Sequence, residues 1–336
     1  MILPASDPAS IAQAARALAA GALVGFPTET VYGLGADALQ DDAVAQIFAA
    51  KGRPSEHPLI VHIADPDPQG AAVARFASEV PDFARRLMHG LWPGPLTLIL
   101  PRRAGVANAA AGGQGTIGLR CPSQSVARAL LEACAALGVV GVAAPSANRF
   151  GRVSPTTAAH VEQEFGPALL VLDGGACEVG IESAIVDCSR GAPVLLRPGV
   201  LARAQIEAGC GQRLLAPDEL DGAPRASGTL AAHYAPNAKL RLMDARQLET
   251  ALGLLGDGLD RAQAQIAVYA RHLPRKVGGH LLLRRMPDDA AATAQQLFAV
   301  LREFDAQGAA LIWVETVPDT PEWDGVRDRL ARAAAA

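Results

Sequence analysis

Apolar residues along the chain fall into short runs separated by polar, glycine- or proline-bearing turns. Gly21 to Phe26 is one such run, and Pro27 ends it, so the pattern predicts a buried strand over 21–27. Comparable runs predict strands at 59–63, 96–100, 116–121, 139–144, 169–172, 180–187 and 194–199. Helical spacing fills several of the intervals. It predicts helices over 10–20 with Ser10 as N-cap, over 42–50 headed by Asp41 and Asp42, and over 70–89, 124–137 and 157–165. From Cys210 to Pro236 the periodicity dissolves into a proline- and glycine-broken stretch, which reads as a linker. Beyond it, strands at 240–243, 266–270, 281–284 and 311–314 alternate with helices near 246–255, 289–306 and 321–334. That alternation predicts a second α/β domain with a parallel sheet.

The polar residues of the first half sit where such a pattern places ligands. Thr28, Glu29 and Thr30 follow the carboxyl end of the 21–27 strand, and open α/β sheets bind ligands there. Thr30, Arg120, Ser146, Ser183 and Arg197 all fall at or near ends of apolar strands, and as a set they are expected to converge on one sheet edge. Lys51 and Arg53 fall at the far end of the 42–50 helix. Basic residues favour a helix C-terminus in any case. Composition changes that picture: among 30 basic residues only Lys51, Lys239 and Lys276 are lysines. A lone lysine in the first two-thirds of an arginine-using chain points to a compact ammonium needed for a phosphate, and Arg53 adds a planar fork.

The remaining composition mostly excludes. At 336 residues, one large or two ordinary domains are expected. A net charge of −4 does not describe a nucleic-acid-coating protein. Cys121, Cys134, Cys177, Cys188 and Cys210 contain no CxxC pair, which argues for a reducing compartment and against a zinc site or disulfide framework. No run is apolar enough to span a membrane, and no basic leader precedes residue 20, so a cytoplasmic protein is expected. Gly113 to Gly118 fits G-x-G-x-x-G but leads into a strand, and no P-loop is present, so a dinucleotide fingerprint and a Walker site are both set aside.

Pro27-Thr28-Glu29-Thr30-Val31-Tyr32-Gly33-Leu34, Lys51-Gly52-Arg53-Pro54 and Pro58-Leu59-Ile60-Val61-His62 resemble the YrdC/Sua5 family. Trp92 to Thr97, Pro145-Ser146-Ala147-Asn148, Ser154-Pro155-Thr156, Gly180 to Asp187 and His233-Tyr234-Ala235-Pro236 extend the resemblance in the same order, from about residue 8 to the end. Two departures occur: Arg149-Phe150-Gly151 stands where the family more often has Ser-Gly, and Ala184 where it usually has Thr. The resemblance implies a YrdC-like twisted open sheet at 1–210, a linker or lid at 211–238, and a smaller Rossmann-like α/β domain at 239–336. It implies a threonylcarbamoyl-AMP synthase that uses L-threonine, bicarbonate and ATP with Mg²⁺, whose product passes to tRNA threonylcarbamoyl transfer proteins for t6A modification. Lys51 and Arg53 would stabilise charge on the polyphosphate. Arg53, His57, Thr116, Ser146, Asn148, Ser154, Arg197 and Tyr234 would bind ATP, with His57 standing where the family often has asparagine. Thr30, His62, Arg120, Ala144 and Ser183 would bind threonine, with no resident metal ligand. In the family the linker reaches over the active site.

Two other readings compete. A module binding RNA weakly without turnover would use the basic concave face of this fold, but 4% aromatic residues and the missing RNA motifs oppose it. A carbamoyltransferase of metallocentre maturation shares the fold, but carries acylphosphatase and zinc-finger segments that this chain does not have.

Overall fold

The structure is a computed structural model and describes residues 1–255, 265–273 and 281–336; Lys276 lies outside the described residues. The chain divides into two compact units, residues 1–150 with 154–229 and residues 151–153 with 230–336.

The first unit is built on a ten-stranded mixed sheet. Its strands are β1 (Ile2–Pro4), β2 (Val24–Phe26), β3 (Gly33–Asp37), β4 (Ile60–His62), β5 (Leu96–Pro101), β6 (Thr116–Arg120), β7 (Val142–Ala143), β8 (Leu170–Asp173), β9 (Ala184–Asp187) and β10 (Val194–Arg197). They lie in the order β1-β8-β2-β3-β7-β4-β6-β5-β9-β10. Helices α1 (Pro8–Ala19), α2 (Asp41–Lys51), α3 (Ala71–Phe76), α4 (Asp82–Leu91), α5 (Ser125–Ala136), α6 (Ala158–Phe165) and α7 (Arg203–Cys210) complete the unit.

Several local readings need correction. Asp7, not Ser10, caps α1, accepting from the Ala9 amide at 2.9 Å, while Pro8 takes the first helical position. The single helix expected over 70–89 is two, because Ala77 turns extended and bridges Arg102, and Pro81 opens α4. β3 is not among the strands that the apolar runs predict, since Gly33-Leu34-Gly35-Ala36-Asp37 carries a single large apolar residue. The glycine is a packing requirement: a Cβ on Gly35 would stand 2.8 Å from Val142 Cγ1 and 2.9 Å from Phe26 Cε1. Trp92 makes the expected tight turn, buried and donating its indole N–H to Leu96 O at 2.7 Å.

The second unit carries the four-stranded sheet β11 (Lys239–Met243), β12 (Ile266–Ala270), β13 (Leu281–Arg285) and β14 (Leu311–Glu315), in the order β11-β14-β12-β13 and parallel throughout. Helices α8 (Ala245–Leu255), α9 (Ala290–Ala306) and α10 (Asp324–Ala334) alternate with them. This matches the expected parallel α/β domain strand for strand.

The segment after α7 is not a loose spacer. Residues up to Thr229 pack in the first unit, where Leu214 and Ala226 are buried, and a 3₁₀ turn forms at Pro217–Glu219. Residues from Leu230 belong to the second unit.

Candidate active site

Side chains alternate across a strand, so residues two apart share a face. On β6 these are Thr116, Gly118 and Arg120; on β4, Ile60 and His62; on β5, Thr97 and Ile99; at β9, Ser183 and Ile185. The register aligns them, with Ile60 opposite Gly118, Gly118 opposite Ile99, His62 opposite Arg120 and Thr97 opposite Ile185. Ile60, Thr97, Ile99, Thr116, Gly118 and Ile185 of this face line a cleft together with Pro58, Gln114, Arg225 and Ser227. Its floor is apolar and glycine-smoothed.

Arg120, which shares a face of β6 with Thr116 and Gly118, is 3% exposed. It donates to Thr30 Oγ1 at 2.8 Å and to Gly94 O at 3.3 Å, and its Nη2 lies 2.8 Å from Glu29 Oε1. Thr30 Oγ1 in turn meets Thr28 Oγ1 at 2.8 Å, and Thr28 Oγ1 donates to Val31 O at 2.7 Å, which fixes the turn after β2. His62 is buried in the same corner, edge-on to Phe26. Burial first, and the Arg120 cation second, push its pKa down to about 3, so its ring is neutral at physiological pH. Ser183 Oγ pairs with Thr97 Oγ1 at 2.8 Å, and Arg197 donates to Ser183 O through Nε at 3.1 Å and Nη2 at 2.9 Å.

Lys51, the last residue of α2, is 3% exposed. Its ammonium donates to Ser146 O at 2.6 Å and to Asn148 O, so it holds the Pro145–Asn148 turn from below. Burial and, next, the Arg53 cation drive its pKa well below the usual lysine value. Gly52 ends α2 in the left-handed conformation, φ +63°, and so turns Arg53 toward the cleft. Arg53 Nη2 donates to Pro58 O at 2.9 Å and to Ser227 Oγ at 3.3 Å. His57, half-buried, packs edge-on to Phe150; burial and then Arg53 lower its pKa. Ser154, fully buried, donates its hydroxyl to Glu182.

The expected residues gather: Ser146 bridges Gly33 and the Ala147 amide donates to Tyr32 O, which sets the Ser146–Asn148 turn beside the Thr28–Thr30 turn that Arg120 holds. Ser227 links two of the arginines, its carbonyl accepting from Arg197 Nη1 at 2.8 Å and its hydroxyl from Arg53. Thr116 lines the floor, while Ala144 is buried behind it and pairs its amide with Ile60 O. Tyr234 belongs to the second unit, where it is buried at φ +62°, stacked on Phe298 with Arg329 at 5.2 Å from its ring. Sequence reasoning gave no role to Glu29, Thr97, Glu182 or Ser227. Position alone signalled one of them: Glu29 stands between two threonines just past a buried strand.

This cleft is found in a chain whose relatives are recognisable. A family model described as "Telomere recombination", that of the Sua5/YciO/YrdC domain, matches residues 16–199. The chain belongs to the Sua5/YciO/YrdC family. A second model, "Threonylcarbamoyl-AMP synthase, C-terminal domain", matches residues 201–335, so this is a family member with the added C-terminal domain. It is 36% identical over 326 residues to the threonylcarbamoyl-AMP synthase of Pyrococcus abyssi, covering 94% of this chain and 91% of the relative. The enzyme of that name from Bacillus subtilis is 36% identical over 348 residues, covering 99% and 94%. The solved structure of Pyrococcus abyssi Sua5 complexed with L-threonine matches with a TM-score of 0.86 at 34% identity, covering 99% of this chain and 97% of that one.

Proposed function

We infer that this chain condenses L-threonine, bicarbonate and ATP into threonylcarbamoyl-AMP and pyrophosphate, supplying tRNA t6A modification. The observation that carries this is the gathering of a buried cation-and-hydroxyl corner, Arg120 with Thr30, and a lysine–arginine pair, Lys51 and Arg53, with Ser227 joining Arg53 to Arg197. The chain's likeness to a Sua5 complexed with L-threonine supports the same reading.

Arg120 would take the threonine carboxylate through its planar fork. Thr30, Ser183 and neutral His62 would hold the hydroxyl and amine side, against the wall that includes Ala144. ATP would lie along the floor over Thr116, with Ser146, Asn148, Ser154, His57 and Arg197 about its adenosine and phosphates. Lys51 and Arg53 would stabilise charge as pyrophosphate leaves. Magnesium fits hard oxygen donors of the kind Glu182 offers beside Ser154, and among the described residues no three His, Cys, Asp or Glu side chains gather into a cage, so such an ion would ride chiefly on phosphate oxygens and water. The N-carboxylate formed from threonine and bicarbonate attacks the α-phosphorus, and the new anhydride keeps the adenylate while pyrophosphate departs. No nucleophilic side chain is required, so the protein contributes positioning and preorganised charge. A lid role for the 211–238 linker is supported by Ser227 lying on both arginines. Tyr234 as an ATP contact, downstream tRNA-modifying partners and a cytoplasmic location belong to the same proposal.

The test is incubation with ATP, labelled bicarbonate and one amino acid at a time. The expected result is pyrophosphate and an adenylate with threonine, and far less with serine or valine. Salt-sensitive RNA retention with no turnover would overturn this in favour of an RNA-binding module.

A further inference from the structure

Glu29 is 3% exposed, and neither of its carboxylate oxygens has a hydrogen-bond partner among the described residues. Its one charge partner is Arg120, whose Nη2 sits 2.8 Å from Oε1 without the alignment of a hydrogen bond. Both side chains of that pair are 4% exposed. A buried ion pair held this way is costly, because desolvation takes back much of the Coulomb gain unless hydrogen bonds satisfy the remaining lone pairs. Here three or more acceptor sites of Glu29 stay empty, and the Nδ1 of His62 in the same corner is also unpartnered. A corner with one buried cation, one buried anion and unfilled acceptors on the anion has the charge pattern that complements a zwitterion.

Resting on the function proposed above, we propose that Glu29 seats the α-ammonium of threonine, so that the substrate's two charges exchange partners with the resident Arg120–Glu29 pair. Threonine carboxylate takes Arg120, and its ammonium supplies the N–H donors that Glu29 lacks. Glu29 is then the residue that selects an α-amino acid over an α-hydroxy acid. The same contact serves the next step. Ammonium and bicarbonate give the N-carboxylate, one water and one proton, and the proton is left beside the Glu29 carboxylate, which accepts it as the N–C bond forms and the C–OH bond breaks.

The discriminating ligand is 2,3-dihydroxybutyrate, which keeps the carboxylate and the side-chain hydroxyl of threonine but has a hydroxyl for the ammonium. Binding of each ligand is measured on the full chain by calorimetry without ATP or bicarbonate, for wild type, Glu29→Gln and Glu29→Asp. Wild type is expected to prefer threonine by about 10- to 100-fold, the span of one charge-assisted hydrogen-bonded contact. Glu29→Gln is expected to lose that preference by losing threonine affinity alone, with Glu29→Asp restoring part of it. At saturating threonine Glu29→Gln should also turn over at least about tenfold more slowly, within the range of a lost general base. Equal weakening of both ligands in Glu29→Gln would mean that Glu29 only aims Arg120, and unchanged binding would mean that it only balances charge; either overturns the proposal, as does wild-type turnover by Glu29→Gln. Should Glu29→Gln fail to fold, Glu29→Asp decides on the same two ligands, an unaltered preference refuting the seat. Wild type that binds threonine yet releases no pyrophosphate would sink the proposed function and leave the Glu29 assignment standing.

Discussion

Lys51→Met separates what the buried ammonium does for the fold from what it does for the reaction. Methionine keeps an unbranched stem of similar length, so the packing around α2 is largely retained. Two carbonyls, those of Ser146 and Asn148, lose their donor. At about 1–3 kcal/mol for each buried unpaired acceptor, this destabilises by about 2–6 kcal/mol. Acting the other way, a cation 3% exposed beside Arg53 no longer has to be desolvated, a relief of several kcal/mol in the effective range for buried ions. The two effects nearly cancel, and the net change is expected to lie within about 2 kcal/mol, or less than roughly 8 °C in melting temperature for a domain of this size. Catalysis has no such compensation. Loss of one preorganised charge at the departing pyrophosphate should lower turnover roughly 10²- to 10³-fold. The assay pairs thermal unfolding with threonine- and bicarbonate-dependent pyrophosphate release. A folded Lys51→Met with near-normal release would refute the placement of Lys51 at the polyphosphate. A fall of 15 °C or more would show that the ammonium is mainly a structural tie.

Other outcomes follow from the same geometry. Arg120→Lys keeps the charge but cannot serve Thr30, Gly94 and Glu29 together, so apparent threonine affinity should fall roughly 10- to 100-fold and ATP affinity much less; equal weakening of both would move Arg120 out of the amino-acid corner. The folded-state pKa of His62, at about 3, is below the unfolded value, so its contribution to stability is full above pH 6.5 and is lost as pH falls toward 3, by at most about 1.4 kcal/mol per pH unit. His62→Asn should flatten that part of the stability–pH curve, and an unchanged slope would show that His62 is not the group responsible. Ser227→Ala removes a hydroxyl from Arg53 but leaves the carbonyl on Arg197, so ATP affinity should change by no more than a few-fold, while Ser227→Pro should perturb the segment's seat and shift ATP affinity further; indistinguishable ATP titrations for the two would reduce the segment to a tether.

The sheet of the second unit was legible because its strands are simple apolar runs with helices between them, and nothing there departs from the expected period. In the first unit the failures have local causes. β3 is hidden by glycines whose purpose is to admit Phe26 and Val142, which no propensity records. The break between α3 and α4 was signalled by Pro81 and missed because alanines on both sides suit a helix equally well. Among site residues, Arg120, Ser183 and Arg197 were visible at strand ends, and Lys51 through its rarity. Glu29 and Ser227 were not given roles, because their meaning is in partners 91 and 174 or fewer positions away, Arg120 and Arg53, which only the folded sheet supplies.

Ser227 gives Arg53 and Arg197 an oxygen each, and in the proposed site that is where a nucleotide would present its own. A covalently attached group of this kind acts as an internal competitor at an effective concentration that short tethers place near the millimolar range. Every measured nucleotide affinity is then a difference, the intrinsic affinity reduced by the fraction of molecules in which the arginines are free. The same competition runs in the other direction after the reaction. Return of Ser227 to the arginines fills sites that the adenylate has begun to leave, which discourages its rebinding and shortens its residence. For a product that hydrolyses in water, a protein that holds its nucleotide less tightly hands on more of what it makes.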